Sequence, residues 1–141
     1  MNDDAKFLSV RGASLTDRAG NPVLLRGYGL GGWMNLENFI TGFPGNETAH
    51  RHAVRKVLGA PLADFFFDRF LEHFFGEEDA RFIRSLGLNL VRIPVNYRHL
   101  EHDDRPFEIR EDGFRHLDRA IDACAKEGIY TIIDLHALPG W

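Results

Sequence analysis

Arg92 stands inside an otherwise apolar run, NLVRIPV at 89–95, between Val91 and Ile93. A guanidinium keeps its proton even when buried, so a strand that carries one must bring an anionic partner to it. Two uses fit. The arginine braces a reactive carboxylate and keeps it ionised, or it closes a purely structural ion pair. His136 follows a second apolar run, YTIIDL at 130–135, at a position where an imidazole can donate to a hydroxyl or to a carboxylate. Asp134 alternates with His136 and can share its side of a strand. Because Pro139 and Gly140 bend the chain directly afterwards, the two are not read as a catalytic dyad. Trp33, Phe39, Phe43 and Trp141 lie in Gly/Pro-punctuated loops with Asn35, Glu37 and Asn38 nearby. That mixture suits a sugar, whose C–H faces cover rings and whose hydroxyls meet amides and carboxylates, although the same rings also serve to anchor a loop on itself.

Other chemistries find less support. No Ser–His–Asp arrangement is assignable. His50 and His52 straddle one residue on a helix and point apart, His99 and His102 lie in a polar loop, and no HExxH occurs, so no metal site and no cofactor are expected. GYGLGG at 27–32 superficially matches a dinucleotide fingerprint, but no βαβ unit with a placed helix follows it directly. Cys124 falls on the apolar stripe of a helix and reads as a small buried hydrophobe. The 17 basic and 21 acidic residues are dispersed and leave a formal charge of −4, which disfavours a nucleic-acid partner. MNDDAKFLSV has no basic segment leading into a long apolar run, and no membrane-length span follows. The sequence as written therefore points to the cytoplasm and to no membrane partner; a chain trimmed at its start would be compatible with secretion.

The elements that must position these residues alternate. Phe7–Arg11 and Val23–Gly27 are short apolar runs joined by the turn formers of ASLTDRAGNP, which predicts a hairpin or a paired entry strand. The four glycines at 27, 29, 31 and 32 deny side chains to the backbone and permit unusual φ or close approach of a ligand. Residues 34–47 read as an irregular, aromatic-rich loop. Helices follow at 49–58, capped by Asn46 or Thr48, and at 62–75 after Pro61. Leu62, Phe66, Phe70 and Phe74, widened by Phe65, Phe67, Leu71 and Phe75, imply that the second helix is buried on more than one side. The helix at 77–86 has acids first and arginines last, the favourable order for its dipole, and closes at Gly87. A strand at 89–93 broken at Pro94, a helix at 112–127 and a strand at 130–135 complete the series. Near-continuous apolar strands alternating with helices make a parallel α/β sheet. Repetition alone fits either a doubly wound sheet or a barrel; polar residues at successive strand ends favour the barrel.

Three of these segments resemble glycoside hydrolase family 5, in particular its exo-β-1,3-glucanase-like and β-glucosidase-like members. LRGYGLGGW is similar to the family's first-strand LRGxNLGGW, NLVRIPVNYR to its second-strand VRIP, and YTIIDLHALPG to its third-strand DLHxxPG. The resemblance implies a (β/α)8 TIM barrel, of which residues 1–141 would be the N-terminal part: about three βα units preceded by a short hairpin and truncated before the fourth strand. By position, Arg92 is similar to the family arginine that braces the nucleophilic glutamate, and His136 to the histidine beside the scissile bond. Glu37 resembles the acid that binds a terminal glucose, although LENFITG departs from the LEPW-like version. Trp33, Asn35, Asn96, Tyr97 and Trp141 complete the implied substrate-binding set. The implied substrate is a β-linked glucan or glucoside, hydrolysed with retention by two glutamates expected beyond Trp141, their carboxyl groups about 5–5.5 Å apart. On this reading the segment alone is inactive and poorly ordered, and the remainder of the barrel is its partner, as a continuation or a second chain. A non-catalytic carbohydrate-binding or scaffold fragment is the alternative.

Overall fold

The computed structural model describes residues 7–139, so Trp141 lies outside the described residues. Strands β1 (Ser9–Arg11) and β2 (Ser14–Thr16) form an antiparallel hairpin. The partner of β1 thus falls within the stretch expected to be turn, and Val23 meets the hairpin by donating its N–H to Leu15 O at 2.8 Å. Gly12 explains the tighter reversal. At φ +60° it allows a two-residue loop between Arg11 and Ser14.

The chain continues through β3 (Gly27–Gly29), a one-turn helix α1 (Asn38–Thr41), and helices α2 (Glu47–Leu58), α3 (Ala60–His73) and α4 (Glu77–Ser85). Strand β4 (Leu90–Asn96) leads through a small antiparallel pair, β5 (Glu101–His102) and β6 (Arg105–Ile109), to α5 (Arg115–Lys126) and β7 (Tyr130–Ala137). The three strands β3, β4 and β7 lie side by side in that order, all parallel. Gly27 is required by this pairing, since a Cβ there would sit 1.8 Å from Leu90 O. Pro94 does not break β4 as expected. Pairing with β3 ends at Gly29, opposite Arg92, so no ladder bond is lost at the proline.

Alternation along β4 sends Val91, Ile93 and Val95 to one face, where each is fully buried. Ala80 and Ile83 of α4 and Leu117, Ala120 and Cys124 of α5 cover them. Each of the Val, Ile and Leu side chains contributes about 1.5–3 kcal/mol. Burial pushes the Cys124 thiol up to about 11, which makes it part of this packing and an inert group. Helix α2 starts two residues earlier than expected because Asn46, one of the two expected caps, accepts through Oδ1 from Ala49 N at 2.9 Å. In α3 only one face is covered. Ala63, Phe67 and Leu71 are buried, whereas Leu62, Phe65 and Phe66 are exposed, so the breadth of its apolar stripe overstated its burial.

Candidate active site

The other face of the sheet carries the charged residues. Arg92 of β4 lies one strand away from Asp134 and His136 of β7, and a parallel pairing of even-numbered residues brings all three together. Arg92 Nη2 donates to Asp134 Oδ2 and lies 2.9 Å from His136 Nδ1. His136 Nδ1 is also 2.9 Å from Asp134 Oδ2. The register between β4 and β7 passes from Leu135 to Ala137 and skips His136, an irregularity that re-aims a side chain at the strand end. β7 therefore runs two residues past its expected end and includes His136.

His136 Nδ1 faces both a donor and an acceptor, so its role follows the proton. With Nδ1 bare it accepts from Arg92, and Nε2–H points towards Glu37 Oε1, 3.6 Å away. With Nδ1 protonated it donates to Asp134 and leaves Nε2 as an acceptor. Desolvation works to raise the Asp134 pKa, but the His136 hydrogen bond and the Arg92 charge outweigh it and hold the carboxyl below its ordinary value. Both Arg92 contacts run through Nη2, and 41% of its side chain is exposed, so it is accessible to a second carboxylate. The Asp134–Arg92 pair is the partner that Arg92 demanded. Its signal in the sequence was the two-residue spacing of Asp134 and His136, unusable without the neighbouring strand.

Glu37 arrives from the loop after β3. Its carbonyl accepts from Ile40 N and Thr41 N at 3.1 and 2.9 Å, which starts α1 inside the segment read as irregular. Ile40 packs over Gly32, where φ is +75° and a Cβ would meet Ile40 Cγ2 at 2.7 Å. Beneath this loop lies a residue that sequence reasoning missed. Glu47, fully buried, accepts through Oε2 from Leu36 N at 2.9 Å and from Asn96 Nδ2 at 3.0 Å, and through Oε1 from Arg51 Nε at 2.6 Å. One carboxylate thus ties the Glu37 loop to the end of β4. An acid at a helix start looks like an ordinary dipole partner in sequence, so nothing marked it as buried.

The remaining expected substrate-binding residues support this frame from within. Trp33 is fully buried, donates Nε1–H to Leu71 O at 3.0 Å and stacks on Phe74; its ring is used by the core, not offered at the surface. Asn35 is fully buried, and neither polar atom of its amide has a partner among the described residues. Asn96 is buried between Glu47 and the Arg98 N–H, and Tyr97 donates its hydroxyl to Asp103. Among the described members of the set, Arg92, His136 and Glu37 converge on an open face. Phe39, beside Glu37, is 78% exposed and is the ring that loop leaves available. Among the described residues no group of three or more His, Cys, Asp or Glu side chains is placed to hold a metal ion, and no helix is long and apolar enough to cross a membrane.

Residues 64–141 match the family model described as cellulase, glycosyl hydrolase family 5. The chain belongs to glycosyl hydrolase family 5. Among curated relatives of this family 5 chain, a β-xylosidase of Phanerodontia chrysosporium is 57% identical over 134 residues, which cover 95% of this chain and 28% of that protein. A probable glucan 1,3-β-glucosidase A of Emericella nidulans is 34% identical over 121 residues, covering 82% of this chain and 29% of that protein. A sporulation-specific glucan 1,3-β-glucosidase of Saccharomyces cerevisiae is 33% identical over 157 residues, covering 98% and 34%. The family 5 chain therefore spans about a third or less of the length of these relatives.

Proposed function

We propose that these residues form the first three βα units of an eight-stranded barrel, and that the whole protein hydrolyses β-glycosidic bonds with retention of configuration. The observation that carries this reading is the convergence of Arg92 from within β4, His136 from the carboxyl end of the parallel neighbour β7 and Glu37 from the loop after β3, on the side where a barrel builds its site. The edge strand β7 supports it. Ile132 on one face and Ile133 and Leu135 on the other are all about half exposed, as expected of a strand that takes further neighbours.

In this reading the two carboxylates of the reaction come from other strands. Arg92, already fixed by Asp134, turns its exposed side towards the nucleophilic glutamate and favours its ionised form. His136 and Glu37, 3.6 Å apart, hold ring hydroxyls of the sugar at the cleavage point, the imidazole donating and the carboxylate accepting. Substrate-side binding of this kind places the anomeric carbon for attack.

The substrate reading is a β-linked glucoside or glucan. The β-xylosidase name of the 57% identical relative supports a second reading, a β-xyloside. The two sugars share the ring hydroxyls that Glu37 and His136 would contact and differ at the C5 substituent. Purified full-length protein should be assayed on aryl β-glucoside and aryl β-xyloside in parallel, with the anomer first released followed by proton NMR. Release of the α-anomer first, or no turnover of either substrate, overturns the proposal; the latter favours a carbohydrate-binding role. The 141 residues alone should be inactive, and turnover by them would contradict the placement of both glutamates elsewhere.

A further inference from the structure

A second cavity, of about 390 Å³, lies where the segment after β4 meets α2, α3 and the start of α5, and it is lined by Arg51, Arg98, His99, Arg110, Arg115 and His116. The proposed glycosidase chemistry uses none of these side chains. Their hydrogen bonding is one-sided. Arg51 Nη2, Arg98 Nε and His116 Nδ1 are buried and have no partner among the described residues. The arginine nitrogens can only donate. His116, 6% exposed, has its Nε2 3.0 Å from Arg115 Nη2, another obligate donor. Nε2 must therefore accept, which puts the proton of the neutral ring on Nδ1. Three N–H groups thus lack acceptors at one cavity, and His99 Nε2 is a fourth buried nitrogen without a partner. Native interiors leave few such groups unpaired.

The charges point the same way. Asp68 and Asp112 line the cavity with the arginines, and Glu47 lies behind it. Glu47 takes Arg51 and, at 3.9 Å, Arg98; Asp112 takes Arg110; Asp68 is shared between Arg115 and Arg69. Four guanidinium groups therefore face three carboxylates, one of them divided with an arginine outside the cavity. Burial and the charge of Arg51 push the His99 pKa down to about 4, and burial with Arg115 lowers that of His116, so the positive excess is that of the guanidinium groups.

We propose that this cavity binds a small oxyanion, a carboxylate or phosphate group carried by a small molecule. Unpaired N–H donors around a net positive charge are what such a group requires, and planar guanidinium groups match both carboxylate and phosphate. The test uses the full chain at neutral pH, with sodium phosphate and sodium glucuronate as probes, each compared with sodium chloride at equal ionic strength. Calorimetric titration should show saturable binding of one or both probes and none of chloride. Phosphate alone indicates a phosphate source, glucuronate alone an acidic sugar. Replacing Arg110→Gln and Arg115→Gln together removes two of the four guanidinium charges at the cavity and should weaken binding about tenfold or more. Should that variant fail to fold, protection of Arg110 and Arg115 from phenylglyoxal by the bound probe, read by mass spectrometry, takes its place. No saturable binding, a response that chloride reproduces, binding unchanged in the double variant, or failure of the probe to protect would each overturn the assignment and leave a cavity that holds water.

Discussion

Removing the Glu47 carboxylate should destabilise the protein in a way that separates its charge from its shape. Its side chain is fully buried, one oxygen serving Leu36 N and Asn96 Nδ2 and the other serving Arg51. In Glu47→Gln the amide oxygen can keep the first two partners while the NH2 group faces the Arg51 N–H. Breaking a buried pair from one side costs about 3–5 kcal/mol, and the retained hydrogen bonds and the 21% exposure of the arginine put this variant near the lower end, about 3 kcal/mol. Glu47→Ala also removes acceptors from two donors, each worth about 1 kcal/mol, for a total of about 5 kcal/mol. Both changes are large against an ordinary stability of about 5–15 kcal/mol. Urea denaturation of the full-length protein, followed by intrinsic fluorescence to which buried Trp33 contributes, measures each variant. A Glu47→Gln loss below about 1 kcal/mol would show that the buried pair is not what holds the Glu37 loop to β4. An Arg51→Met background gives the control, because there the Glu47→Gln cost should shrink.

Further expectations are more local. His99 gains its proton near 6.5 when unfolded but only near 4 when folded, so the unfolded chain binds more protons in between. Stability should fall as pH drops from about 6.5 to about 4, by at most about 3 kcal/mol, and His99→Gln should flatten that slope in acid titrations of the melting temperature. In the full-length protein, if it is the hydrolase proposed above, Asp134→Asn should reduce kcat/KM by about a hundredfold through loss of the Arg92 and His136 alignment while barely moving the melting temperature, and an unchanged kcat/KM would remove Asp134 from the site. Phe107, 94% exposed in β6, has φ +69°; Phe107→Gly should stabilise by about 1 kcal/mol in denaturant, and a destabilised variant would contradict the strain.

Much of the fold was legible because burial imposes a period. Apolar strands at 89–95 and 130–135 and helices with acids first and Gly87 or Gly128 last follow from local rules that act within a few residues, whereas the Gly27 contact with Leu90 joins strands far apart in the chain. The errors share a cause. The partner of β1, the continuation of β4 through Pro94 and the uncovered side of α3 depend on what lies across from each segment, which adjacent sequence does not encode.

The site divides in the same manner. Residue type and strand position drew attention to Arg92 and His136, since a charge in an apolar strand is costly unless it has a partner, whereas Glu37, in a loop, was drawn in by the family resemblance. Who that partner is, and which aromatic ring faces outwards, only packing decided. Parallel registry joined Asp134 to Arg92 across 42 residues, the core took Trp33 and left Phe39 exposed, and Glu47 acquired its role from donors at positions 36, 51 and 96. Covalent order specifies which groups exist; a hydrogen bond between distant segments exists only once the chain has closed around it.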